Sequence, residues 1–295
     1  MRYSDAPDRH AGRASHARQT SSLRSRGSGL KRFFGRVKRF FFVEKDGRVT
    51  KTQVAVHIGL GLVLLGGFLY ISVLRLGLKL DFGTLWDFRL RIWKGFYTTI
   101  WLALASMAVS LLIGFVAALG SRSQLLAARY LCKIYVSFIR GTPLIAQIYL
   151  FYYIIGTAWG VNNRLLAGVI ILSVFEGAYI TEIIRGGMES IEATQLEAAA
   201  AVGFSRWQTM RFVELPQVTS RVLPGLAGQF ASIIKDSSLL SLIAVAELTQ
   251  TIREITATNY AFFVAYFLLA ALYFALTFPI TLLARWLEGR FHYEA

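Results

Sequence analysis

Five ionisable side chains lie inside long apolar runs of this 295-residue chain. Arg140 falls within residues 134–156, Glu176 and Glu182 within 165–184, and Lys235 and Asp236 within 222–246. A charge at such a place is costly and normally faces a cavity or an opposite charge. Two of the five are positive and three negative, so they can neutralise one another internally or line a polar path. Gly141 and Pro143 flank Thr142 just after Arg140, which predicts a local break in the helix and backbone groups that a polar cavity would satisfy. Lys235 and Asp236 are adjacent, hence about 100° apart on a helix, and reach one point only if the helix unwinds. Ser237 and Ser238 place small hydroxyls beside them. Glu176 has Arg140 and Lys235 as candidate partners.

A second cluster, residues 194–216, reads TQLEAAAAVGFSRWQTMRFVELP between two apolar runs. Thr194 with Glu197, and Ser205 with Gln208, have the spacing of helix-starting capping boxes. Gly203 is placed to close the first helix in the left-handed conformation. Pro216, lacking an N–H and holding Leu215 extended, is expected to stop the second helix. Ala198, Ala199, Ala200 and Ala201 are too small to fill a core but let another surface approach the backbone. The prediction is helix, tight turn, helix: a hairpin to be gripped, or an ordinary helical loop. A DNA-reading helix-turn-helix shares the short Gly turn, but the flanking apolar runs and sparse basic residues speak against it.

Other chemistries are excluded by what the chain lacks. Cys132 is its one cysteine, so no intrachain disulfide forms, and four scattered histidines offer no metal spacing. No catalytic constellation and no phosphate-binding glycine loop is present; if ATP drives this protein, a separate subunit binds it.

The elements that must carry these residues follow from hydropathy. With 55% hydrophobic residues the chain belongs to the membrane class, where about 20 apolar residues span the hydrocarbon. Six spans are predicted, over residues 54–74, 95–119, 134–156, 165–184, 222–246 and 255–284, the last beginning as loop around Thr256 to Tyr260 and bent near its end by Pro279. Residues 1–52 hold 14 of the 32 Lys and Arg and only four acids. A pI near 10 therefore reflects one tail and not a nucleic-acid-binding domain. Residues 1–30 read as disordered. Residues 31–43, KRFFGRVKRFFFV, suit either an anionic membrane surface or solvent. The long charged region ahead of the first apolar run does not read as a cleaved signal peptide. With this tail inside, the inner segments carry 23 Lys/Arg and the outer ones 6, which puts both termini and the hairpin in the cytoplasm.

Glu197-Ala198-Ala199, Gly203 and Leu215-Pro216 resemble the coupling loop of membrane subunits in bacterial ABC importers. Arg140-Gly-Thr-Pro-Leu144, Ala178-Tyr-Ile-Thr-Glu182, Arg185-Gly186, Leu215-Pro-Gln217 and Lys235-Asp236-Ser-Ser-Leu239 resemble the polar amino-acid uptake branch (histidine, glutamine and glutamate type). The resemblance covers about residues 93–288. It implies an all-α integral membrane protein of the bacterial cytoplasmic membrane, a five-helix importer core preceded by one extra span. The organisation is then a basic tail (1–52), an added span and outer loop (53–92), the transport domain (93–288, hairpin 194–216) and a short C-terminal tail (289–295).

The same resemblance implies partners: a cytoplasmic ATPase dimer that binds ATP and Mg, an extracytoplasmic solute-binding protein, a second permease subunit and membrane lipid. It implies no catalytic residue and no cofactor on this chain. Glu197, Ala198, Ala199, Gly203, Leu215 and Pro216 would meet the ATPase. Arg140, Thr142, Glu176, Glu182, Lys235, Asp236 and Ser237 would line the pathway, where an amino-acid zwitterion needs a cation for its carboxylate and an acid for its ammonium. Acidic amino acids or their amides are the expected substrates. Three departures stand out: Thr194 where the family often has Gly, Ser237 in place of Thr, and Glu176 where many relatives carry an uncharged residue. A non-transporting membrane scaffold and an ion channel are the alternatives; the first leaves the intramembrane charges unexplained, the second the hairpin.

Overall fold

A chain segment in lipid must satisfy its backbone groups internally, and helices do so within a single segment. The computed structural model describes residues 50–75 and 82–291, and every regular element among them is helical. Expectations for the basic tail up to residue 49 and for residues 292–295 lie outside the described residues. Residues 1–79 and 80–295 form separate units. In the first, α1 (Lys51–Arg75) has no buried residue. Its 25 residues give about 38 Å of helix, enough to cross the hydrocarbon.

The second unit begins with a single turn, α2 (Gly83–Trp86), and the long α3 (Arg89–Ser121). Next come α4 (Leu126–Gly141) and α5 (Leu144–Tyr149), which widens into a π-helical stretch, Leu150–Gly156. Then follow α6 (Arg164–Glu189), α7 (Ala193–Ala201), α8 (Arg206–Thr209), a π-helical turn (Met210–Glu214) and α9 (Leu215–Asp236). A 3-10 stretch (Ser237–Ile243), α10 (Leu248–Asn259) and α11 (Phe262–Arg290) complete the unit.

Among the described residues four helices (α1, α3, α6 and α11) are long and apolar enough to cross a membrane, and α4 with α5 makes a fifth if that bent pair is one span. The expected span 222–246 differs from these. It falls on α9, whose Arg221, Lys235 and Asp236 make it more polar than the others, and the α-helix stops at Asp236. The last span is displaced to 262–290, because Tyr260 takes a left-handed φ of 55° and separates α10 from α11. Pro279 lies inside α11, which continues past it to Arg290.

The bundle packs around α6, buried on most of its circumference as a helix apolar all round should be. Leu172, Ile180, Leu102 and Ile233 are fully enclosed. α3 and α6 meet where both carry glycine. A Cβ on Gly114 would stand 2.5 Å from Ile180, and one on Gly177 would stand 2.8 Å from Ile113. Small residues at a crossing let two membrane helices approach closely. Tyr135 of α4 donates its hydroxyl to the Val174 carbonyl at 2.7 Å, fixing α4 against the same face of α6.

Candidate functional site

The break between α4 and α5 forms as the sequence predicts. α4 ends at Gly141, Thr142 and Pro143 are extended, and the two helices meet at 112°. Freed carbonyls at such a break need donors. Gln147 supplies them: its Nε2 reaches the Ile139 carbonyl at 2.8 Å and the Thr142 hydroxyl at 2.7 Å. The side chain is 1% exposed, and its Oε1 has no partner among the described residues. Sequence reading overlooked Gln147, although a lone amide in an apolar run four residues after Pro143 was the available signal.

The five intramembrane charges divide into two groups. Arg140 pairs with Glu182 at 3.2 Å and lies over the Tyr179 ring. Glu182 is shared with Arg185 at 2.8 Å, and Arg185 also reaches Glu189 at 2.5 Å. Glu176 belongs to the other group. It is 0% exposed and accepts a hydrogen bond from Gln229 of α9 through Oε2, while Oε1 has no partner among the described residues. Asp236 lies within hydrogen-bonding reach of it, and Lys235 is close enough to Asp236 to act on its charge. Glu176 therefore pairs with neither Arg140 nor Lys235, the two partners considered from sequence.

Helix geometry explains the division. Six residues separate Glu176 from Glu182 on α6, about 9 Å along the axis and 120° around it, so they face different neighbours. At the end of α9 the α-helix gives way to 3-10 geometry. Asp236 turns inward there, whereas Lys235 is exposed. Ser237 is buried and gives its hydroxyl hydrogen to the Ile234 carbonyl. Thr142 likewise donates to the Phe138 carbonyl at 2.8 Å.

A further buried carboxylate, also missed from sequence, is Glu247. It caps α10, accepting from the Gln250 and Thr249 amides, both at 2.7 Å, and from the Tyr273 hydroxyl at 2.9 Å. Burial pushes its carboxyl up to about 7, with the three donors opposing the shift.

The hairpin forms, with three corrections. Gly203 takes φ +84°, and the Gly203 and Phe204 amides close α7 onto the Ala200 and Ala199 carbonyls, the paired bonds of a Schellman motif. Ser205 and Gln208 make the expected capping box. Thr194 and Glu197 do not: α7 starts earlier, with Glu192 at its N-cap, and the Thr194 hydroxyl bonds the Glu192 carboxylate. Pro216 does not stop the second helix but sits in the first turn of α9. Leu215 is helical, not extended. The wider π turn just before it relieves the clash between a proline ring and the preceding turn.

Glu197, Ala198, Gly203, Leu215 and Pro216 are exposed, and Ala199 is buried against the fold. Val202, Trp207 and Phe212 present large apolar surface from the same hairpin. Gln195 and Gln217 join its two arms at 2.6 Å.

A helical bundle with apolar spans, carboxylates buried between them and an exposed hairpin defines a multi-pass membrane protein with a polar interior. The chain belongs to the family of binding-protein-dependent transport system inner membrane components, which matches residues 110–293. It is 33% identical over 216 residues to the glutamine transport system permease protein GlnP of Escherichia coli K12, covering 72% of this chain and 98% of that one. It is 34% identical to the L-cystine transport system permease protein TcyB of Bacillus subtilis, covering 66% and 84%. Among solved structures, an amino acid ABC transporter crystallised with histidines superposes with a TM-score of 0.67 at 31% identity, covering 72% of this chain and all of that one. The chain is thus the permease subunit of an ABC importer.

Proposed function

We propose that this permease carries polar amino acids across the bacterial cytoplasmic membrane and receives the substrate ammonium at Glu176 and Asp236. The observation carrying this reading is the fully enclosed Glu176, with an unused acceptor oxygen and a second carboxyl beside it. Acceptors buried without a donor are costly, and an ammonium supplies both charge and hydrogen bonds. Thr142 lies at the break between α4 and α5, and Ser237 opens the 3-10 stretch next to Asp236. Arg140, half exposed and held by Glu182, belongs to the other charge group and would meet a substrate carboxylate at another point of the pathway, and Lys235 is exposed beside Asp236. Glutamine, glutamate and their neutral or acidic relatives are the preferred cargo.

Two permease subunits would form the pathway, with an ATPase dimer binding ATP and Mg on the cytoplasmic side and a solute-binding protein outside. ATP-driven approach of the ATPases would move the exposed hairpins and shift the bundle between inward and outward openings. Uptake of a labelled amino-acid panel, with ATPase and binding protein reconstituted, tests the reading. Saturable ATP-dependent uptake of at least one polar amino acid is expected; a complex that hydrolyses ATP yet moves none of the panel would refute it.

The 23-to-6 split of Lys and Arg supports a cytoplasmic hairpin with both termini on the same side. Ala200→Cys in a Cys132→Ser background should react with a membrane-impermeant maleimide only after the cells are permeabilised. Labelling in intact cells would reverse the orientation.

A further inference from the structure

At the hairpin end of the bundle, α3, α4 and α6 enclose a cavity of about 580 Å³ between Ser121 and Glu189. Its acids are already occupied: Glu182 and Glu189 are held by Arg185, and Glu182 also by Arg140. Those two arginines and two glutamates balance. Arg122, Arg129 and Lys133 also line the cavity, and no carboxylate pairs with them among the described residues. Arg129 donates to the Ser123 carbonyl at 3.1 Å, and Lys133 lies over the Tyr130 ring. The cavity thus carries three uncompensated positive charges, with Ser137 also in its wall.

Its surroundings are apolar. Leu126, Tyr130, Ile134 and Phe138 recur every four residues along α4, one position round from Arg129 and Lys133, and all four are exposed. From Arg129 to Phe138 the helix rises about 14 Å, close to the depth of one leaflet's hydrocarbon. Tyr130 stands at the charged end of this stripe, where aromatic rings gather at the membrane interface. A small soluble anion would use the cations and leave the stripe idle. A phospholipid uses both.

We propose that this cavity binds the phosphate head group of an anionic phospholipid, its acyl chains lying along the α4 stripe. Basic pockets between membrane helices are suited to such head groups. Lipid held there would brace α4 against α6, next to the Arg140–Glu182 pair.

Full-length protein in detergent micelles, titrated with dioleoyl phosphatidylglycerol and followed by native mass spectrometry, tests the assignment. Wild type should retain phosphatidylglycerol in preference to phosphatidylcholine. Arg129→Gln with Lys133→Gln should weaken that binding on the order of thirtyfold, the combined effect of two basic groups at an anionic head group. Lys133→Arg should retain it, and Arg285→Gln, the loss of one charge on exposed α11 surface, should leave it unchanged. The proposal falls if the double variant binds as wild type does, or if Arg285→Gln loses as much. It also falls if sn-glycerol 1-phosphate, the head group without tails, binds as tightly as the lipid.

Discussion

Glu176→Gln should reduce amino-acid uptake about a hundredfold while leaving the folded protein at least as heat-stable as wild type. The amide has nearly the shape of the carboxylate and can still accept from Gln229. What it loses is the charge that would meet a substrate ammonium. Removing one partner of a buried charged hydrogen bond costs about 3 kcal/mol, which corresponds to about a hundredfold. Stability should not fall, because the amide can donate to the Asp236 carboxyl within reach and puts no second ionisable acid in a poorly solvated site. Uptake in the reconstituted system and the thermal unfolding midpoint in detergent separate the cases. Normal uptake with a lowered midpoint would make Glu176 a packing residue and move the substrate site elsewhere. Asp236→Ala should lose uptake to a similar extent.

The second large effect is expected at the hairpin. Gly203 holds φ +84° with no atom within 4 Å of where a Cβ would stand. Valine there meets no neighbouring clash but is forced into a backbone region it avoids, at about 1–2 kcal/mol. The strain is released by turning α8 and the following π turn away from α7. Glu197 gives an independent probe, since it is exposed and lies on no membrane span. Gly203→Val and Glu197→Lys should both insert normally, yet lose uptake and the stimulation of ATP hydrolysis by loaded binding protein. Capture of the ATPase by the purified permease should weaken in parallel. Wild-type capture and uptake in both variants would reduce the hairpin to a connecting loop.

Much of this was legible in the residues because it depends on local rules. Apolar length marked α1, α3 and α6, since a helix in lipid needs only its own backbone. Gly203 and the Ser205–Gln208 box fixed one turn of the hairpin through bonds spanning at most five residues. Gly141 and Pro143 announced the break between α4 and α5 for the same reason. Motif spacing, from Arg140-Gly-Thr-Pro to Lys235-Asp236, carried the family.

Where local rules competed, the tertiary structure decided. A proline normally ends a helix, but the π turn at Met210–Glu214 lets Pro216 ride inside one. Thr194 and Glu197 have capping spacing, yet Glu192 starts the helix two residues early. The pairing of the intramembrane charges was beyond any local rule. Sequence offered Arg140 or Lys235 to Glu176. Packing of α9 against α6 instead brought Gln229 and Asp236 to Glu176, and packing of α4 brought Arg140 to Glu182. Which charges meet depends on how far each helix is rotated about its axis, and between α6 and α9 that rotation is held by close glycine contacts, Gly187 against Val222 and Gly225 against Ile183. Composition fixed that these charges needed partners; only the assembled bundle determined which partners they found.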